Sequence, residues 1–275
     1  MVQRNTKVSM LSRLRSLFSA NPATPPAALP DGQRVYAVGD IHGRADLFGA
    51  MVAAIDADDA GRGMAQTTVI LLGDLIDRGP DSAGVVAQAR DWQARRTVRL
   101  LMGNHEEMFL DALEKPEVLR HFLRYGGKET VLSYGVDEDA YYAADLAETQ
   151  ALMRAAIPAD HIDFIRGFEN AITLGDYLFV HAGILPDVPL DQQRVGDLRW
   201  IRQPFLDHPG SHGPVVIHGH TIFKQPDIRH NRIGIDTGAY ETGVLTALGL
   251  EGQNRWLIEA RMQDGAMRVT QRSIS

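Results

Sequence analysis

The chain of 275 residues contains no cysteine. That excludes disulfides, thiolate metal ligands and any covalent intermediate on sulfur. It fits a reducing, cytoplasmic setting without requiring one. No stretch approaches about 18 uninterrupted apolar residues, so no transmembrane helix is expected. There is no internal repeat. The first 30 residues lack any acid and carry Arg4, Lys7, Arg13 and Arg15, a charge of +4 that leaves −11 for the rest and −7 overall. Such an acidic body lacks the basic face that duplex nucleic acid needs, so no such partner is expected. What is present is ordinary for a globular chain: 44% hydrophobic residues and a length that suits one large α/β domain or two smaller ones.

Met10, Leu11, Leu14, Leu17 and Phe18 recur at helical spacing with Arg13 and Arg15 between them. Residues 8–18 therefore read as a short amphipathic helix, either packed on the body, frayed, or making a weak membrane-surface or partner contact. The stretch has neither a long apolar core nor a clear small-residue cleavage site, so it is a poor secretory signal. Asn21–Pro30, with four prolines, reads as a linker. This divides the chain into an N-terminal segment, 1–33, and one domain, 34–275.

The domain is organised by short runs that each follow an apolar stretch. Gly39-Asp40-Ile41-His42-Gly43 follows Val35–Val38, Gly73-Asp74-Leu75-Ile76-Asp77-Arg78-Gly79 follows Thr68–Leu72, and Gly103-Asn104-His105-Glu106 follows Val98–Met102. Two later runs have the same form: His181-Ala182-Gly183 after Tyr177–Val180, and His218-Gly219-His220-Thr221 after Val215–Ile217. The apolar stretches read as buried strands. Each turn then presents a carboxylate, amide or imidazole at a strand's carboxyl end, where open α/β sheets bind ligands. Asp, Asn and His converging there suit a hard or borderline divalent metal. Asp40 and His42, two apart in an extended turn, point the same way. Asp74 has two oxygens and can bridge two ions. An acidic body does not exclude a phosphate site, because bound cations reverse the local field.

Between the runs, Leu47, Met51, Val52 and Ile55 form a helical stripe, Pro80 marks a helix start before Val85, Val86 and Ala89, and Met108, Phe109, Ala112 and Leu113 form a third stripe. The β-α-β-α-β order implies a parallel sheet with right-handed crossovers. Residues 111–170 show little strand character and read as a helical insertion beside the metal edge, including one long helical run over 137–156. Strands return at Ile233–Asp236, Val244–Leu248, Arg255–Ile258 and Met267–Thr270. They are expected to build a second, mostly antiparallel or mixed sheet packed on the first. The fold class is thus α/β, two sheets as a sandwich flanked by helices.

These motifs, from Val35 to Gly243, resemble the calcineurin-like metallophosphoesterases. Within them they resemble most the PPP-type serine/threonine protein phosphatases of the bacterial and phage kind. The resemblance implies that Asp40, His42 and Asp74 hold one divalent ion and that Asp74, Asn104, His181 and His220 hold the other. It implies Mn first, with Fe or Zn as alternatives, roughly 3.5–4 Å apart and generating a bridging hydroxide as nucleophile. His105 follows a ligand and so faces the same site, where it suits a general acid for the leaving alkoxide. Asp77 resembles its orienting carboxylate. Arg78 would bind phosphoryl oxygens. A second arginine is expected at Arg199 or Arg202, and the resemblance favours Arg202. His218 and Asp236 are expected to support ligands, and the other histidines to be ordinary. Three functions compete: phosphoserine/phosphothreonine protein phosphatase, symmetrical diadenosine polyphosphate hydrolase, and a non-catalytic scaffold of the same fold. Asp77-Arg78-Gly79 and Glu106 favour the first, because the diadenosine hydrolases tend to lack that aspartate and to carry Asp at the glutamate position.

Overall fold

The computed structural model describes residues 26–274. The amphipathic stretch 8–18 lies outside them. The end of the proline-rich stretch is packed on the body: Leu29 is buried, its N–H bonds to the Gly252 carbonyl, and the Ala28 N–H bonds to Asp176.

Three β-α units open the fold: β1 (Gln33–Val38), α1 (Ala45–Gly61), β2 (Gln66–Leu71), α2 (Ser82–Arg95), β3 (Val98–Leu100) and α3 (Asn104–Glu114). β1, β2 and β3 pair in parallel, as the alternating pattern requires. Pro80 lies just outside α2, whose cap is Asp81, its carboxylate accepting the Gly84 N–H. The helical insertion follows as α4 (Pro116–Phe122), a kinked turn at Leu123–Gly127, α5 (Lys128–Ser133), α6 (Glu138–Ala143), α7 (Leu146–Ala156) and α8 (Ala159–Arg166). The expected single run over 137–156 is two helices. Asp145 and Glu148 exchange side chain-to-backbone bonds in a capping box that starts α7 afresh.

The second sheet differs from expectation in its membership. It is built from β4 (Ala171–Leu174), β5 (Tyr177–Val180), β6 (Val215–His218), β7 (Asp227–Ile228) and β8 (Arg232–Gly234), in the order β4-β5-β6-β8-β7. Helices α9 (Val195–Trp200) and α10 (Ala239–Thr242) lie after β5 and β8. Of the C-terminal strands only β8 belongs to it. β9 (Val244–Glu251), β10 (Asn254–Gln263) and β11 (Ala266–Ile274) instead extend the first sheet, with β9 antiparallel to β1. The physical reason is burial. Val244–Leu250 is buried throughout, so this strand needs both faces covered and takes an interior position.

Alternation along β1 shows the layering. Val35 and Ala37 face the second sheet, in a core with Phe179, Ile217, Ile233 and Leu248. Tyr36 and Val38 face the helices, in a core with Phe48, Met51, Trp92 and Phe109. On the far side of the second sheet, Val180 and Val216 pack on Leu198 and Phe205. The result is two mixed sheets face to face with helices outside them.

Candidate dinuclear metal centre and active site

Six strands, three parallel in each sheet, end at one edge of the sandwich, and each delivers a polar residue there. The turns are tied to one another by backbone bonds. The Asp74 carbonyl accepts the N–H groups of Ile41 and His42, and the His181 carbonyl accepts that of Gly219. Gly73 has φ of 98°, and a Cβ there would come within 2.7 Å of the Gly103 nitrogen and 2.9 Å of His181 Nδ1. Only glycine lets the turns approach this closely.

Two imidazoles are locked by their far nitrogens. His42 Nδ1–H donates to the Ile76 carbonyl at 2.8 Å, and His181 Nδ1–H to the Leu72 carbonyl at 2.8 Å. Both Nε2 atoms therefore face Asp74 Oδ2, at 3.6 Å and 3.4 Å. A backbone carbonyl on the remote N–H is how proteins orient metal-binding histidines. Asn104 Oδ1 lies 3.0 Å from His181 Nε2 and 2.8 Å from His220 Nδ1, and His220 Nε2 is buried with no hydrogen-bond partner. Donor atoms of His42, Asp74 and His105 lie within 4.8 Å of one another, as do those of Asp74, His181 and His220. Asp40 stands behind, its carboxylate accepting the His220 N–H at 3.0 Å.

The charge balance asks for cations. Asp40, Asp74, Asp77, Glu106 and Asp236 are all buried at this edge, with Arg78 beside them. Burial, Asp236 and Asp74 hold Asp40 well above the usual carboxylate range. Burial and Asp74 push Glu106 up to about 7, and burial raises Asp236 to about 6. Asp74 goes the other way. Burial opposes its charge, but His181, His105 and His42 around it keep it ionised. In the neutral form that binds metals, His181 Nε2 joins Asn104 Oδ1 and Asp74 Oδ2 as three facing acceptors that one metal ion would satisfy together. The residues present thus form two buried His/Asp groups that share Asp74 and fit a dinuclear centre.

Beside them sits a second cluster. His105 Nδ1–H donates to Asp77 Oδ2 at 2.7 Å, and its Nε2 accepts from Arg78 Nη2 at 2.9 Å. Burial works against a charged His105, but Asp74 and Asp77 outweigh it and raise its pKa. Five of the seven non-glycine residues at positive φ among the described residues are here: His42, Asp74, Asp77, Arg78 and His220. Each such conformation costs about 1–3 kcal/mol and persists only where its surroundings impose it. Glu106 is part of that imposition. Its carboxylate accepts the N–H groups of Asp74 at 2.8 Å, Leu75 at 2.7 Å and Gly103 at 3.0 Å.

A cleft of about 490 Å³ opens over the centre, lined by Asp74, Arg78, Asn104, His105, Arg202 and His220 and rimmed by aromatic side chains. Arg202 stands on its wall. Arg199 does not, being paired with Glu107 at 2.7 Å and Asn170 at 2.6 Å. His218 turns away between Phe205 and Phe223, and burial holds it near 3, so it is a neutral core residue. Asp236 bonds the Gly238 N–H rather than a candidate ligand. Four contributors carry no sequence signal, His121 among them, which was expected to be an ordinary histidine. His121 and Tyr125, from the insertion, and Trp200 and Tyr240 all line the cleft, and only their proximity in space marks them.

Residues 33–242 match the family model described as calcineurin-like phosphoesterase. The chain belongs to that family. Among relatives of this phosphoesterase, a serine/threonine-protein phosphatase 1 of Salmonella typhimurium is 29% identical, over 78% of this chain and 90% of its own. A symmetrical bis(5'-nucleosyl)-tetraphosphatase of Nitrosospira multiformis is 24% identical, over 79% and 92%. The solved structure of a putative diadenosine tetraphosphatase superposes with a TM-score of 0.57 at 19% identity, covering 89% of this chain and 98% of that one. The phosphoesterase is thus similar to both branches. Among the described residues, no helix is long and apolar enough to cross a membrane.

Proposed function

We propose that this phosphoesterase hydrolyses phosphoserine and phosphothreonine in proteins. The observation that carries the reading is the Asp77–His105–Arg78 cluster, whose His105 and Arg78 line the cleft over buried Asp77. In this reading Asp40, His42 and Asp74 would hold one ion, and Asp74, Asn104, His181 and His220 the other, with Mn as the first choice. Bound there, the ions supply a water activated for attack at neutral pH and neutralise charge on the phosphoryl group. The protein's own groups do the rest. Arg78, which donates to the Nε2 atoms of His42 and His105, turns the same N–H groups to phosphoryl oxygens, and Arg202 approaches from the wall. As the bond from phosphorus to the serine or threonine oxygen breaks, His105 Nε2 gives that oxygen a proton. Asp77 on Nδ1 supports the imidazolium before the transfer.

A second reading is favoured by the rim. Tyr125 and Trp200 are 45% and 39% exposed at the cleft, and exposed aromatic rings suit the stacking of a planar base. That would fit a diadenosine polyphosphate hydrolase. The deciding experiment compares a phosphothreonine peptide with diadenosine tetraphosphate at equal enzyme and saturating Mn. The protein phosphatase reading requires phosphate release from the peptide to be the faster. Cleavage of the dinucleotide with an inert peptide would replace it with the second reading.

A further inference from the structure

The helical insertion reaches past the cleft wall into the turn that carries Asp77 and Arg78. Thr130, on α5 and fully buried, touches Asp77 twice. Its Oγ1–H donates to Asp77 Oδ1 at 2.6 Å, and the same oxygen accepts the Asp77 backbone N–H at 2.9 Å. Ser82 Oγ accepts that N–H as well, at 2.9 Å, and with the Thr130 proton committed to Asp77, Ser82 donates its own to Thr130 at 2.8 Å. Each hydroxyl proton therefore has one acceptor. One turn earlier the Gly126 carbonyl accepts the Arg78 N–H at 3.0 Å. Gly126 itself has φ of 108°, and a Cβ there would sit 2.6 Å from Arg78 Cγ.

Asp77 thus spends one carboxylate oxygen on Thr130 and the other on His105 Nδ1. A carboxylate held at one oxygen can still rotate about its Cβ–Cγ bond, and rotation would swing the imidazole off line. Held at both, it cannot. We infer that Thr130 is a positioning residue for the acid, fixing Asp77 so that His105 Nε2 points at the leaving oxygen. The insertion therefore serves the proton transfer as well as the shape of the cleft. The inference rests on the role proposed above for His105.

Thr130→Val keeps the shape and removes the hydroxyl, and Thr130→Ser keeps the hydroxyl and removes a methyl. Partners that orient a working residue are typically worth about ten- to a hundredfold in activity. Thr130→Val should lose that much on a phosphothreonine peptide and several-fold less on nitrophenyl phosphate, whose leaving group needs little protonation. Thr130→Ser should restore the wild-type ratio of the two rates. A purely structural threonine would lower both rates together. If Thr130→Val does not fold, Ser82→Ala, which removes the hydroxyl donating to Thr130, should show the same skew more weakly. Equal losses on both substrates, or no loss, would overturn the inference. A wild-type enzyme inactive on the peptide would instead overturn the proposed function, so the two failures are distinguishable.

Discussion

Replacing His105 by Asn separates acid catalysis from metal binding, a question the geometry raises directly. His105 lies within ligand distance of His42 and Asp74, yet its Nδ1 is held by Asp77 rather than by a backbone carbonyl as in His42 and His181. If it is the acid, its loss matters only where the leaving group is a strongly basic alkoxide. Positioned acid catalysis is worth about 10²–10⁴. At about 1.36 kcal/mol per tenfold, that is roughly 3–5 kcal/mol of barrier. His105→Asn should therefore fall by about that factor on a phosphothreonine peptide and far less on nitrophenyl phosphate, with two ions per chain retained by elemental analysis. Asp77→Asn should show a milder skew. It removes the charge opposite Nδ1, and a hydrogen bond to a charged group is worth about 1.5–3 kcal/mol, or roughly ten- to a hundredfold. Equal loss on both substrates together with loss of a metal ion would refute the acid assignment and make His105 a ligand.

Other outcomes follow from single contacts. Glu106→Asp, one methylene shorter, cannot reach the N–H groups of Asp74, Leu75 and Gly103 together, so thermal unfolding should show a loss of about 2–3 kcal/mol; an unchanged melting curve would refute that role. Arg202→Ala should raise KM for phosphorylated substrates, whereas Arg199→Ala should chiefly lower stability, because Arg199 is paired with Glu107 and Asn170. The reverse pattern would exchange their roles. Removing residues 1–25 should leave hydrolysis of a small phosphate ester nearly intact. A cut after residue 30 should destabilise the domain by about 1.5–3 kcal/mol, because it strips out the buried Leu29. If residues 8–18 dock on anionic lipid, the full chain should co-sediment with such vesicles and the chain lacking 1–25 should not.

The strand-end turns were legible because each is local. An apolar stretch, a glycine and a polar residue within a few positions describe the whole feature, and Asp74, Asn104 and His181 sit where that pattern puts them. Sheet membership was not legible in the same way. Val244–Leu250 reads as a strand from its apolar, β-branched character, but its pairing with β1 depends on packing between residues some 200 positions apart. Its continuous burial did hold a clue, since a run with no polar face belongs inside a sheet rather than at the start of a new one. Thr130 and Tyr125 were invisible as site residues for the same reason. Thr130 bonds a group about fifty positions away and Tyr125 shares the cleft with groups as distant, through an insertion whose helical stripes say which face is buried but not what it touches. The different placement of Arg199 and Arg202 was hidden as well, because it depends on Glu107, a residue beside the motif that pairs Arg199, while Arg202 lines the cleft.

The proposed hydrolysis depends on two divalent ions that share Asp74. Elemental analysis paired with phosphate release, before and after exhaustive chelation, decides whether it does. Two ions per chain are expected, with activity lost on chelation and restored by Mn, and an Asp74→Asn variant should bind fewer ions and stay inactive when Mn is added. Full hydrolysis by protein shown to be metal-free, or by Asp74→Asn, would contradict that dependence.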